Sequence, residues 1–197
     1  MIDLKKLKQE QLGLQKQIKL NKLPKINLIA GCDSSLIGSY RNYTQIFSVF
    51  VVFTYPELQE IEVQTNISPL TFPYIPGFLS FREIPNLLKV YKKIENKPDL
   101  IMVDGSGLIH PRHMGIAKKK LYGNIVSDKI IDPKTNEQLG FSVKTKARAN
   151  PIFVSPGTFC DLESSLSITL SCLKGYKLPE PTRIADLYSK KLKNVQK

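Results

Sequence analysis

The sequence predicts an α/β domain in which an antiparallel meander forms part of a mixed central sheet flanked by helices. Three observations lead there. The coarse order of elements is helix, three strands, helix, strand. Three apolar, β-branched runs follow one another closely enough to pair as a meander. Two short apolar strands also end in an aspartate followed by small residues: Leu28-Ile29-Ala30-Gly31-Cys32-Asp33-Ser34-Ser35 and Asp99-Leu100-Ile101-Met102-Val103-Asp104-Gly105-Ser106-Gly107.

Leu4, Leu7, Leu12, Leu14 and Ile18 recur near helical spacing among Lys and Gln, so an amphipathic helix is expected, ending before Pro24. Ile26 to Asp33 reads as a strand and Gln45 to Tyr55 as a second. After a turn at Pro56-Glu57-Leu58, Glu60 to Asn66 alternates as a third. Pro69 to Gly77, rich in Pro and Gly, is a loop. A helix is expected from Ser80 to about Glu95, with Ser80 and Glu83 at capping-box spacing. Pro98 precedes the strand Leu100 to Val103. Gly115 to Tyr122 and a turn-rich Ser127 to Gly140 follow. Then come a strand at Phe141 to Thr145 and an apolar segment, Pro151 to Val154, running into Ser155-Pro156-Gly157. Asp161 is suited to cap a last helical region reaching Leu173. Ser189 to Lys197 reads as a polar, frayed tail. With no repeat or linker, residues 1–197 are expected to form one domain, long enough to bury a sizeable core.

Lys and Arg total 29 against 17 Asp and Glu, a formal charge of +12. That excess favours an anionic partner, nucleic acid first, though solvated lysines also make proteins basic. Cys32, Cys160 and Cys172 are odd in number and form no CxxC pair, so they read as reduced thiols in a cytoplasmic protein. His110 and His113 leave few ligands for zinc. The longest apolar run, Ile46 to Phe53, falls short of the roughly 20 residues needed to span a bilayer. No membrane association is expected, and a monomer is favoured.

Asp33 and Asp104 carry the chemical argument. Either alone is most simply a turn former or a helix cap. Delivered together by neighbouring strands, with Glu83 from a helix, they suit a hard cation such as Mg²⁺, with Mn²⁺ able to substitute. Glu83 has a competing use in its capping box. Tyr74-Ile75-Pro76-Gly77 is a stiff aromatic loop that either wedges into a base stack or packs on the core. Lys144, Lys146 and Arg148 alternate as on one strand face, suited to phosphate tracking or to a solvated edge. Lys118-Lys119-Lys120 reads equally as phosphate contacts or a solvated helix face.

Several strings together resemble the endonuclease V family of deoxyinosine-specific nucleases. They are Ile29-Ala30-Gly31-Cys32-Asp33, Pro73-Tyr74-Ile75-Pro76-Gly77-Phe78-Leu79-Ser80-Phe81-Arg82-Glu83 and Pro98-Asp99-Leu100-Ile101-Met102-Val103-Asp104-Gly105. Gly115-Ile116-Ala117-Lys118, Phe153-Val154-Ser155-Pro156-Gly157 and Gly175-Tyr176-Lys177-Leu178-Pro179-Glu180-Pro181-Thr182-Arg183 follow in the family's order.

The resemblance implies an RNase H-like fold and Mg²⁺-dependent cleavage 3′ to deoxyinosine, one nucleotide beyond the lesion, in DNA repair. Inosine-containing RNA is a second candidate substrate. Asp33, Glu83 and Asp104 match the metal residues, and Lys118 matches a lysine near the scissile phosphate. Tyr74, Ile75 and Pro76 match the wedge, with Gly77 where the backbone meets the recognised base. His110 matches a histidine after the second aspartate. Damaged bases are cheaper to extrude, which adds selectivity. The chain departs from the pattern twice. Thr158 stands where the family carries histidine after Ser-Pro-Gly, and about one helix and the start of a strand are missing between Met114 and Gly115. The alternative is a weakly active or non-catalytic inosine-binding homologue. A third possibility is an RNase H-like nuclease without inosine preference.

Overall fold

A computed structural model describes residues 2–39, 42–105, 107–109 and 128–195. They fall into two compact units. One comprises residues 25–104 and 179–197, the other residues 1–24 and 105–178.

The first unit is built on a four-stranded sheet of order β3-β2-β1-β4. Strands β1 (Leu28–Ser39), β2 (Asn42–Thr54) and β3 (Glu60–Pro69) form the expected antiparallel meander. Strand β4 (Leu100–Val103) lies parallel to β1, in a register running from Ile29 opposite Leu100 to Cys32 opposite Val103. Asp99 fixes that register: its Oδ2 accepts the N–H groups of Asn27 and Leu28 at 2.8 and 3.0 Å.

Alternation along β1 sends Ala30 and Cys32 to one face, where they pack with Phe50, Val52 and Leu87, Val90 and Ile94. Leu87 and Val90 belong to α2 (Leu79–Lys93). Gly31, on the opposite face, meets a further helix, α4 (Glu180–Val195). A Cβ at Gly31 would stand 2.0 Å from the Pro181 carbonyl oxygen, so only glycine allows that approach.

A buried amide network ties α2 to the sheet. Asn86, 2% exposed, donates from Nδ2 to Ser48 Oγ at 2.8 Å, Asn66 O at 3.0 Å and Ile46 O at 3.2 Å. Its Oδ1 accepts from Asn66 Nδ2 at 2.8 Å.

The second unit holds α1 (Leu4–Gln15), a 3-10 turn at Gly107–Ile109, a sheet of order β5-β6-β7 and α3 (Leu162–Ser171). The strands are β5 (Asp128–Ile131), β6 (Gln138–Val143) and β7 (Ile152–Val154). Phe141, Val143 and Val154 form its core with Ile152, Leu162 and Leu166. Asp3 caps α1 by accepting the N–H groups of Lys5 and Lys6, and Asp161 caps α3 by accepting that of Ser164.

Several boundaries differ from expectation for physical reasons. Helix α1 stops at Gln15 rather than near Pro24, because the following backbone binds elsewhere. Lys19 O accepts the N–H of Phe159, and Leu23 N–H donates to Ser164 Oγ. The turn-rich stretch 127–140 contains β5, which pairs with β6. Strand β6 ends at Val143, two residues before Thr145. The Thr145 hydroxyl donates to Lys177 O, and the chain turns where Ala149 N–H donates to Lys146 O. The tail expected from Ser189 is helical through Val195, and Ser189 is 1% exposed, because α4 packs that face against β1.

Candidate active site

The sequence places Asp33 at a strand end, but the structure puts it in the middle of β1. The hairpin pairing with β2 continues beyond it to Ser39. What ends there is the parallel pairing with β4. Asp33 lies one residue past the Cys32–Val103 pair on β1, and Asp104 follows the last residue of β4, so the charge of Asp104 is felt at Asp33. Both aspartates thus lie at the end of the parallel pair.

Glu83 reaches the same region from α2. Its capping box does not form: Phe78 is the N-cap and makes no side-chain capping bond. Ser80 lies within the helix, 5% exposed. Glu83 is thereby released from the role that competed with cation binding. Burial, then the charge of Asp33 and more weakly that of Asp104, push its carboxyl up to about 7 against the opposing pull of Arg82. Burial also raises Asp33. The Ser189 hydroxyl and the Ser34 amide oppose that shift, while Asp186 and Asp104 add to it. Cys32, on the core face beside these acids, is pushed to about 12 by burial and by the charges of Asp33, Glu83 and Asp104. Arg82 Nε is buried with no hydrogen-bond partner among the described residues.

Asp186 is the residue that sequence reasoning missed. It lies on α4, pairs with Lys190 Nζ at 2.6 Å and adds its charge to that felt by Asp33. Thr182, Ala185 and Ser189 are buried on the same helix at spacings of three and four. That period, and Pro in the first turn, were the available signals. The carboxylates interact through charge without closing on one another: among the described residues, no group of three His, Cys, Asp or Glu side chains stands in a metal-holding arrangement.

The aromatic loop enters α2 directly. Gly77 takes φ 81°, and Phe78 N–H donates to Ile75 O at 3.0 Å. Phe81 has the rings of Phe72 and Phe78 at 6.0 and 6.1 Å, and Tyr74 at the loop is 65% exposed. The loop is thus anchored by its phenylalanines rather than by its tyrosine.

Lys144, Lys146 and Arg148 do not share a strand, since all three lie beyond β6. Lys146 and Arg148 are exposed and Lys144 half-buried. Thr158 Oγ1 accepts the Lys19 N–H at 3.3 Å within the second unit. His110, Lys118 and the junction after Met114 lie outside the described residues.

A meander with a parallel fourth strand, flanking helices and carboxylates at the parallel pair defines the class as RNase H-like nucleases. The family model for Endonuclease V matches residues 10–126 and 117–187. Endonuclease V of Thermosipho melanesiensis is 36% identical over 225 aligned positions, covering 98% of this chain and 96% of that protein. The crystal structure of endonuclease V from Bacillus subtilis is similar with a TM-score of 0.90 at 27% identity, covering 100% of this chain and 94% of that one. Endonuclease V of Ciona intestinalis, in complex with a 24mer DNA containing an inosine followed by a ribo-adenosine, is similar with a TM-score of 0.84 at 25% identity, covering 98% of each.

The chain therefore belongs to the endonuclease V family, DNA-repair nucleases that hydrolyse phosphodiester bonds. Since 225 aligned positions exceed the 197 residues here, the Thermosipho protein carries residues with no counterpart in this chain. No helix among the described residues is long and apolar enough to cross a membrane.

Proposed function

We propose that this protein nicks DNA 3′ to deoxyinosine, one nucleotide beyond the lesion, using Mg²⁺, which Mn²⁺ can replace. The observation that carries this reading is the convergence of Asp33, Glu83 and Asp104 at the end of the β1/β4 pair, close enough for their charges to act on one another. The chemistry of the donors, three carboxylates, suits a hard divalent cation, which would have to draw them together from their open arrangement. All the donors are carboxylate oxygens; burial first, and then the charges of Asp33 and Asp104, hold Glu83 near 7, and a cation would favour its charged form.

Asp33, Asp104 and Glu83 would hold the ion, with Asp186 adding negative charge beside Asp33. A cation bound there supplies Lewis acidity, which polarises the scissile phosphate and makes hydroxide available near neutral pH. The chain's own groups bind and orient the strand. Arg82, with a buried Nε donor beside Glu83, suits a phosphate oxygen. Lys118 takes a phosphate-stabilising role and His110 a neighbouring contact. Tyr74, exposed above its phenylalanine anchor, acts with Ile75 and Pro76 as the wedge that opens the stack, and Gly77 allows close approach of a base. Lys144, Lys146 and Arg148 contribute phosphate contacts. The inosine-containing DNA bound by the Ciona relative supports the substrate class, with inosine-containing RNA as a second substrate. Three buried, unpaired cysteines favour a reducing cytoplasm.

The test compares DNA and RNA strands with and without a single inosine, in Mg²⁺, Mn²⁺ or chelator. The expected product is a metal-dependent nick 3′ to inosine. Asp104→Ala abolishes the nick and spares binding; a variant that cuts at the normal rate removes Asp104 from the metal site. Inosine-dependent binding by the wild type without a nick overturns the catalytic reading.

A further inference from the structure

The face of β1 opposite the main core carries Gly31, Asp33 and Ser35, alternate residues that all engage α4. Gly31 lets the helix start approach to backbone contact at Pro181 and Thr182. Ser35 and Asp33 meet a single helix residue, Ser189. Ser35 Oγ donates to the Ser189 carbonyl oxygen at 2.9 Å. The Ser189 hydroxyl reaches Asp33 Oδ2 at 2.5 Å. Ser189 is 1% exposed, so water does not compete for that hydroxyl.

The hydroxyl has one proton and two acceptors within reach, since the Asp186 carbonyl oxygen lies 3.0 Å from the same Oγ. A bond to a charged acceptor is roughly twice as strong as a neutral one, so an ionised Asp33 takes the proton. Asp33 Oδ2 is then occupied, and its carboxylate plane is fixed by a residue 156 positions away in sequence.

We propose that Ser189 is a positioning residue for Asp33: its hydroxyl holds Oδ2 and so presents Oδ1 to the cation as a single, fixed ligand. This rests on the reading that Asp33 binds the cation. Ser189 itself lies beyond residues 10–187, the span matched by the family model. Metal ligands depend on such outer partners, whose loss typically weakens metal affinity about 10- to 100-fold.

The test is Mn²⁺ binding, read by electron paramagnetic resonance, together with melting of the metal-free protein. The proteins are the wild type, Ser189→Ala, Ser35→Ala and Asp33→Asn. Ser189→Ala is expected to bind Mn²⁺ about 10- to 100-fold more weakly. Ser35→Ala, which removes the neighbouring link without touching Asp33, keeps wild-type affinity even where its melting point falls. Wild-type affinity in Ser189→Ala overturns the proposal. So does an equal loss in both serine variants, which would assign the effect to helix docking. Should Ser189→Ala not fold, Ser189→Cys, a near-isostere with a poor donor, must show the same loss. No Mn²⁺ binding by the wild type, or full binding by Asp33→Asn, overturns the metal reading and this inference with it. That outcome is distinct from a serine variant behaving as wild type.

Discussion

Glu83→Gln keeps the shape of the side chain and removes its charge, so it isolates what holding a carboxylate in this site costs. The native carboxyl sits near 7 against an ordinary 4.5, raised by burial first and then by Asp33 and Asp104. Between those values the folded protein keeps a proton that the unfolded chain has released. Stability without metal therefore falls as pH rises. This contribution is fully present below 4.5 and gone above about 7, and the span corresponds to about 3 kcal/mol. Glutamine is neutral throughout, so the variant lacks that slope. In chelator, the two proteins should unfold alike at the acid end. By about pH 8 the variant should be the more stable, by about 3 kcal/mol.

Titrating groups remote from Glu83 are common to both proteins and cancel in the difference. Glu62 is one of these: partial burial works to raise it, but the N–H groups of Asn96 and Glu95, with Gln64 and the Asn96 amide, hold it at about 2. The assay is urea denaturation followed by far-UV circular dichroism across that pH range with EDTA. Saturating Mg²⁺ should reverse the order at the alkaline end, because a ligand stabilises only the fold that binds it. Parallel pH profiles for the two proteins in chelator would refute the claim that Glu83 is held among like charges.

Two further substitutions probe the scaffold. Gly31→Ala puts a Cβ 2.0 Å from Pro181 O and 2.7 Å from Thr182 N, both backbone atoms, so α4 must shift. A loss of about 3 kcal/mol in urea midpoint measurements, with weakened cleavage, is expected; an unchanged midpoint would show that the helix start gives way freely. Asn86→Ala leaves the Asn66 amide and the Ser48 hydroxyl short of a buried partner. It should cost about 2 to 4 kcal/mol by the same measurement, and a neutral result would mean that water replaces the amide.

The meander and β4 were legible because their apolar runs alternate and end in turn formers. The aspartates were legible because the strand ends drew attention to them, although Asp33 is not at one. Ser34-Ser35 and Gly38 carry little strand signal, so the reading stopped where β4 stops, while pairing with β2 carries β1 further. Ser80 and Glu83 had capping spacing, but tertiary packing buried Ser80 and moved the cap to Phe78. Local spacing cannot register that competition. No element is expected from the sequence over residues 180–188, although Pro181 is at home in the first turn of α4. With α4 unseen, Asp186 and Ser189 had no frame that would place them beside Asp33.

The grip of Ser189 on Asp33 joins positions 156 residues apart, which has a consequence for how the protein is made. During synthesis, β1 leaves the ribosome long before α4 exists, and loop-closure entropy must be overcome before this contact can form. A nascent chain carries Asp33 through most of its translation, and all three of Asp33, Glu83 and Asp104 over the stretch from residue 104 to α4, without the helix that packs behind the first of them. At a typical rate of about 5 to 20 residues per second, that interval lasts on the order of ten seconds. The proposed centre takes its final form only once α4 has been made, so the order of translation sets when it can be completed.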